Sequence, residues 1–148
     1  MTIADQAQWS QSIPTDADAL SKNLDKIDQE VMTGAISDRF LPKERLQQLL
    51  LQATALFSFF SNRYWTWKAI LDNQELNRYM ELKNAAAMIG EKFVSAPAER
   101  DASHSVAELR YVVSFYQGQL ARCEQYIHTL KKLLDTLEAD RQKMHNAT

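Results

Sequence analysis

From Val106 onward, apolar residues return at every third or fourth position: Leu109, Val113, Tyr116, Leu120, Cys123, Ile127, Leu130, Leu134 and Leu137. A mean spacing of about 3.5 residues keeps one stripe on the same side of a slightly underwound helix along its whole length. The pattern predicts a C-terminal helix running to about His145, and a stripe of that length has to lie against other helices. Leu109, Val113, Tyr116, Leu120, Ile127, Leu130, Leu134 and Leu137 are therefore the expected oligomerisation surface.

A second stripe, Leu46, Leu50, Ala53, Phe57, Phe60, Tyr64, Trp67 and Leu71, keeps the same alternation. It slips at Asp72-Asn73. Asp72 and Glu75 have the spacing of a capping box, and the reading favours a break or kink there. Pro42 opens this helix, because a proline at the first helical position gives up an N–H that has no partner anyway. Residues 94–103, with Pro97 among small polar residues, read as a loop. Ser105 and Glu108 then form the S-x-x-E box ahead of the last helix. Leu49, Leu51, Leu56, Phe59, Trp65 and Ile70 lie off the middle stripe, and Phe115, Tyr126 and Leu133 lie off the last one. This surplus of apolar surface points to self-association. With only three Gly and three Pro in 148 residues, the whole reads as all-α, a long helical hairpin with coiled-coil heptads that assembles into a helical oligomer.

The N-terminal part differs in charge. Residues 1–38 carry seven acids against two lysines, a balance of -5, while residues 39–148 carry fifteen Lys or Arg against twelve acids, +3. The expected division is an acidic leader, 1–38, ahead of a binding and oligomerisation body, 39–148. A short helix is expected inside the leader, capped by Thr15 or Asp16 after Pro14, with Leu20, Leu24, Ile27 and Val31 on its apolar face and Gly34 as its stop. Residues 35–41 read as a connector. Such a leader can be a solvated arm, a protein-docking segment or a competitor for an anionic ligand.

Chemistry is poorly represented. His128 follows Cys123 by five residues, which sets the two on different parts of a helix, and His104 falls in the expected loop, so no nucleophile and base are paired. The three histidines are scattered without metal-ligand spacing, and no glycine-rich phosphate loop is present. Neither an enzyme nor a cofactor or metal is expected. Cys123 reads as a small packing residue in a reducing compartment. The N-terminus has no secretory pattern, and the apolar stretch 49–71 is interrupted by Gln52, Asn62, Arg63 and Lys68, so a cytoplasmic protein without a membrane span is expected.

The best ligand-facing segment is 61–68, SNRYWTWK. Arg63, Trp65 and Lys68, followed by Arg78 and Lys83, combine cations that track phosphates with a flat ring on which any base can stack, which is how single strands are held. In the alternative reading the aromatics are core and the cations only snorkel outward. Lys131-Lys132 could also touch phosphate in a ring of subunits.

The order of parts, FFSNRYWTWKAIL, then ELNRYMELKNAA, a small-residue loop, and AELRYVVSFYQGQLARCEQYIHTLKKLLDTLE, resembles phage recombination mediators of the UvsY type and related small helical phage proteins over roughly residues 40 to 145. The resemblance implies a ring-forming oligomer in a host cytoplasm that binds single-stranded DNA, remodels single-strand binding protein and helps load a recombinase. It also implies roles for Arg63, Lys68, Arg78 and Lys83 on DNA. The net acidity and the acidic leader depart from that pattern. A helical adaptor, chaperone or structural phage protein that binds a partner protein through its coiled-coil surface is the competing reading.

Overall fold

A computed structural model describes the backbone of residues 3–36 and 41–147, and the side chains of 17–33 and 41–147. Among the described residues the ordered elements are four helices and no strand: α1 (Ile3–Ile36), α2 (Lys43–Met88), α3 (Ser95–Ser105) and α4 (Ala107–Asn146). The all-helical expectation holds. Four local readings need correction.

The leader helix is not short. α1 is 34 residues long, passing through Pro14 and two residues beyond Gly34. A proline removes one backbone hydrogen bond and a glycine lowers helix propensity, both local costs that a long buried stripe outweighs. Ala17, Leu24 and Ile27 are buried, and Leu20 and Val31 are half-buried. The side chains of Thr15 and Asp16, and residues 37–40 of the expected connector, lie outside the described residues.

No break occurs at Asp72-Asn73, because α2 continues for 46 residues. The Asp72 carboxylate is used within the helix, accepting from Lys68 Nζ at 2.6 and 2.8 Å instead of capping a new start. α2 begins just after Pro42, whose carbonyl accepts from the backbone N–H groups of Arg45 and Leu46 at 2.9 and 3.1 Å. It ends in a Schellman turn. Glu91 N–H reaches Ala86 O at 3.0 Å and Gly90 N–H reaches Ala87 O at 3.3 Å, with Gly90 at φ +70°, a conformation that side chains disfavour.

Residues 94–103 are not a loop: most of them form α3. Pro97 is the third residue of that helix, where an N–H would have no intrahelical partner, so it is tolerated. Ala98 and Ala102, four apart, form its buried side. Ser105 does not cap α4 either. Its hydroxyl donates back to Ala102 O at 2.7 Å, while Val106, the joint between the helices, accepts from Arg110 N–H at 3.0 Å.

The chain forms two compact units. Unit 1 is Met1–Phe60 with Gly118–Thr148, and unit 2 is Ser61–Gln117. In unit 1, Leu24, Leu46, Leu49, Ala53, Phe60, Cys123 and Leu130 are buried. Among the described residues, ion pairs hold its helices to one another. Arg45 grips Glu30 through a two-pronged contact at 2.5 and 2.6 Å, Arg122 donates to Asp25 at 2.5 Å, and Lys43 donates to Glu138 at 2.7 Å. A groove of about 580 Å³ runs between α1 and α2, floored by Ile27, Leu49 and Leu56 and edged by Lys26, Glu30 and Arg45. Thus two of the surplus apolar residues of α2 face α1. In unit 2 the core is Trp67, Leu71, Ala98, Ala102, Val106, Val112, Val113 and Tyr116. Phe93 returns to Tyr79, their rings 5.5 Å apart edge to face.

Within the single chain the C-terminal stripe is already covered. Val113, Tyr116 and Leu130 are buried, and Leu109, Leu120, Ile127, Leu134 and Leu137 are half-buried. Among the described residues no helix is long and apolar enough to cross a membrane.

Candidate nucleic-acid interface

The basic-aromatic segment opens the part of α2 that belongs to unit 2, and helix geometry divides its side chains sharply. Trp65 and Trp67 are two residues apart, which turns them roughly 160° away from each other. Trp67 is 4% exposed and part of the core, whereas Trp65 is 64% exposed. Tyr64 is half-buried and its ring meets that of Trp65 edge to face at 5.0 Å. One edge of the Trp65 indole is thereby fixed while most of the ring stays open to solvent.

The five expected contact residues do not form one cluster. Lys68 lies one turn beyond Trp65 and beside it. Its ammonium is tied to Asp72, and this hydrogen bond is the main cause of a pKa raised above the ordinary lysine value. Lys83 is exposed on nearly the same side as Trp65, but five turns on, about 27 Å along the helix. Arg78 points elsewhere, roughly 140° around the helix from Trp65. It donates to Glu81 at 3.3 Å and to Asp101 of α3 at 3.0 and 3.2 Å, hydrogen bonds that favour its charged form. Arg63 is half-buried, about 160° from Trp65, and makes interactions of its own. Trp65 and Lys68 are therefore the only adjacent pair of the five.

One further cation of unit 2 is similarly occupied. Arg110 donates to Glu75 at 2.5 Å. The i,i+4 spacing of Lys68 and Asp72 was legible in the sequence; the Arg78–Asp101 contact was not, because residue 101 was read as loop. Leu76 and Met80 were legible in the sequence as apolar residues following the slip at Asp72-Asn73; that α2 leaves them outward, at 57% and 43% exposed, and that Tyr111 of α4 is 74% exposed, were not. Exposed ion pairs of this kind are weak and exchange readily with other partners.

Among the described residues no group of three or more His, Cys, Asp or Glu is placed to hold a metal ion. The Cys123 thiol is buried and pushed up to about 11 by that burial, so it is protonated at neutral pH and a poor nucleophile. His104 lies on α3 beside Arg100 and Ser103, around an open hollow of about 540 Å³ that also includes Glu75 and Glu99, with mixed charge and no preference for either sign. No family model, curated protein or solved structure matches this chain.

Proposed function

We propose that the protein is a non-enzymatic, oligomeric accessory protein that holds single-stranded nucleic acid, in the manner of a recombination mediator, on the outward face of α2. One observation carries this reading: an indole ring, Trp65, stands 64% exposed in an otherwise regular helix with an ammonium group, Lys68, one turn away. A base stacks on the ring regardless of its identity, and the lysine meets the adjoining phosphate. Arg78 is left out of the site because it stands roughly 140° around the helix from Trp65. Lys83 would meet the same strand only where that strand ran along the helix. In this reading α2 and α4 form the long antiparallel hairpin with heptad stripes, and the oligomer multiplies a single modest site.

The test is binding of an oligothymidylate followed by anisotropy at several salt concentrations. Trp65→Ala is expected to weaken binding by about 1–3 kcal/mol, the worth of one stacked base. Lys68→Ala should flatten the salt dependence by about one ion, and Arg78→Ala should leave it near that of the parent. Absence of binding at 20–50 mM salt, taken as about the lowest useful range, removes the reading.

A second reading, a helical adaptor that docks a partner protein, is favoured by Leu76 and Met80, apolar side chains left outward on α2. Retained partner binding by Trp65→Ala and Lys68→Ala chains that no longer bind nucleic acid would favour it.

A further inference from the structure

The outward face of α2 in unit 2 carries an apolar line that repeats by eleven residues: Ala69 and Met80, Leu76 and Ala87. Eleven residues make almost three whole turns of a straight helix, so the four side chains fall within about 40° of one another. All four are exposed. On one side of the line stand Asp72 and Lys83; on the other stand Asn73, Asn77 and Asn84, exposed amides with no charge among them. An outward helix face in water is ordinarily rich in charge, and a nucleic-acid face would be rich in cations. Between Ala69 and Ala87 this one carries only the charges of Asp72 and Lys83.

It is suited to itself. If a second copy of α2 runs antiparallel across it so that the two residue numbers facing each other sum to 156, Leu76 meets the second copy's Met80, and Met80 meets its Leu76. Ala69 meets the second copy's Ala87, two small residues that let the helices approach closely. Asp72 comes beside the second copy's Lys83 on the same flank, one residue off that sum, once on each side of the two-fold axis. The carboxylate has acceptor capacity for that ammonium beside the Lys68 it already binds. On this face no like charges oppose one another in this register, and shifting it by a turn separates Asp72 from Lys83 and Ala69 from Ala87.

We infer that the α2 face carrying Ala69, Asp72, Leu76, Met80, Lys83 and Ala87 is an isologous, antiparallel contact between two copies of this chain. The inference rests on the oligomeric half of the function proposed above and is independent of its nucleic-acid half. Trp65 falls beyond the paired stretch, opposite the end of the partner's helix, and so keeps its open ring. A stripe this short covers on the order of 400 Å² on each copy, about half of a standard interface, the size of a weak and reversible contact.

The full chain is examined by sedimentation equilibrium from about 1 to 200 µM, a range bracketing micromolar dissociation constants. Reversible association is expected, with Leu76→Asp weakening it at least tenfold while helix content by circular dichroism is unchanged. Lys83→Asp should weaken it similarly, and Lys83→Asp with Asp72→Lys should restore it. For the register, Ala69→Cys and Ala87→Cys chains are oxidised separately and mixed; a disulfide-linked dimer is expected only in the mixture, with the buried Cys123 taking no part. An oligomer untouched by Leu76→Asp, or a disulfide formed by either cysteine variant alone, overturns the inference and leaves the oligomeric reading standing. A chain that is monomeric throughout overturns both.

Discussion

Trp65 and Trp67 show how little residue type decides by itself. Both are tryptophans in one short segment, yet 64% of the first and 4% of the second faces solvent. Trp67→Ala is expected to destabilise the chain by about 3–5 kcal/mol in urea unfolding, the range for emptying a large core site, whereas Trp65→Ala should change stability little and act on binding alone. Cys123 is a parallel case. Burial holds its thiol at about 11, so a neutral alkylating reagent should leave it unmodified in the folded chain and label it fully in denaturant. Alkylation at the same rate in both states would show the site to be open. At this scale sequence reading correctly placed Cys123 in the packed stripe, and it allowed for Tyr64 and Trp67 facing inward while Trp65 did not.

The elements depart furthest from expectation where a residue has two uses. Asp72 and Ser105 were read as helix caps, but Asp72 binds Lys68 and Ser105 donates to Ala102. Pro97 was read as a loop marker and instead sits in the first turn of α3. Gly90 has one use, the left-handed turn that ends α2, and Gly90→Ala is expected to cost about 1–2 kcal/mol, measurable by thermal unfolding. α1 is held on opposite flanks, by Glu30 to Arg45 and by Asp25 to Arg122. Arg122 also donates to Ser21 at 3.1 Å. The two-pronged hydrogen bond from Arg45 lowers the Glu30 pKa below its usual 4.5. A carboxylate depressed in the folded state stabilises fully above its unfolded value and loses that contribution as pH falls through the folded one. Stability should therefore decline as pH drops below about 4.5, and Glu30→Gln should remove part of that decline. An unchanged acid profile in the variant would mean that the contact is not maintained in solution.

For the whole molecule, the acidic leader changes meaning once its position is known. Its described part is a helix of unit 1, with Leu24 and Ile27 buried and acids paired to cations of α2 and α4. Much of the apolar surplus that suggested self-association is accommodated inside the chain: Leu49 and Leu56 are buried, and Phe59, Ile70, Phe115, Tyr126 and Leu133 are half-buried. Leu51 and Trp65 remain exposed, and so do Leu76 and Met80. Deleting residues 1–36 should uncover Leu49 and Leu56 and lower solubility and thermal stability together; a deletion variant melting with the parent would contradict that role for α1. The sequence by itself determined the all-helical class and the stripes of α2 and α4, because a period of three and four residues is a local property that survives in any context. Only the tertiary structure decided which outward faces stay open, because covering an apolar stripe or neutralising a cation depends on residues that are distant in the chain. Glu30 reaches Arg45, Asp101 reaches Arg78 and Glu75 reaches Arg110 across separate helices, and Trp65 with Lys68, and the line through Leu76 and Met80, are among the faces of the described residues left open to a ligand or to another copy.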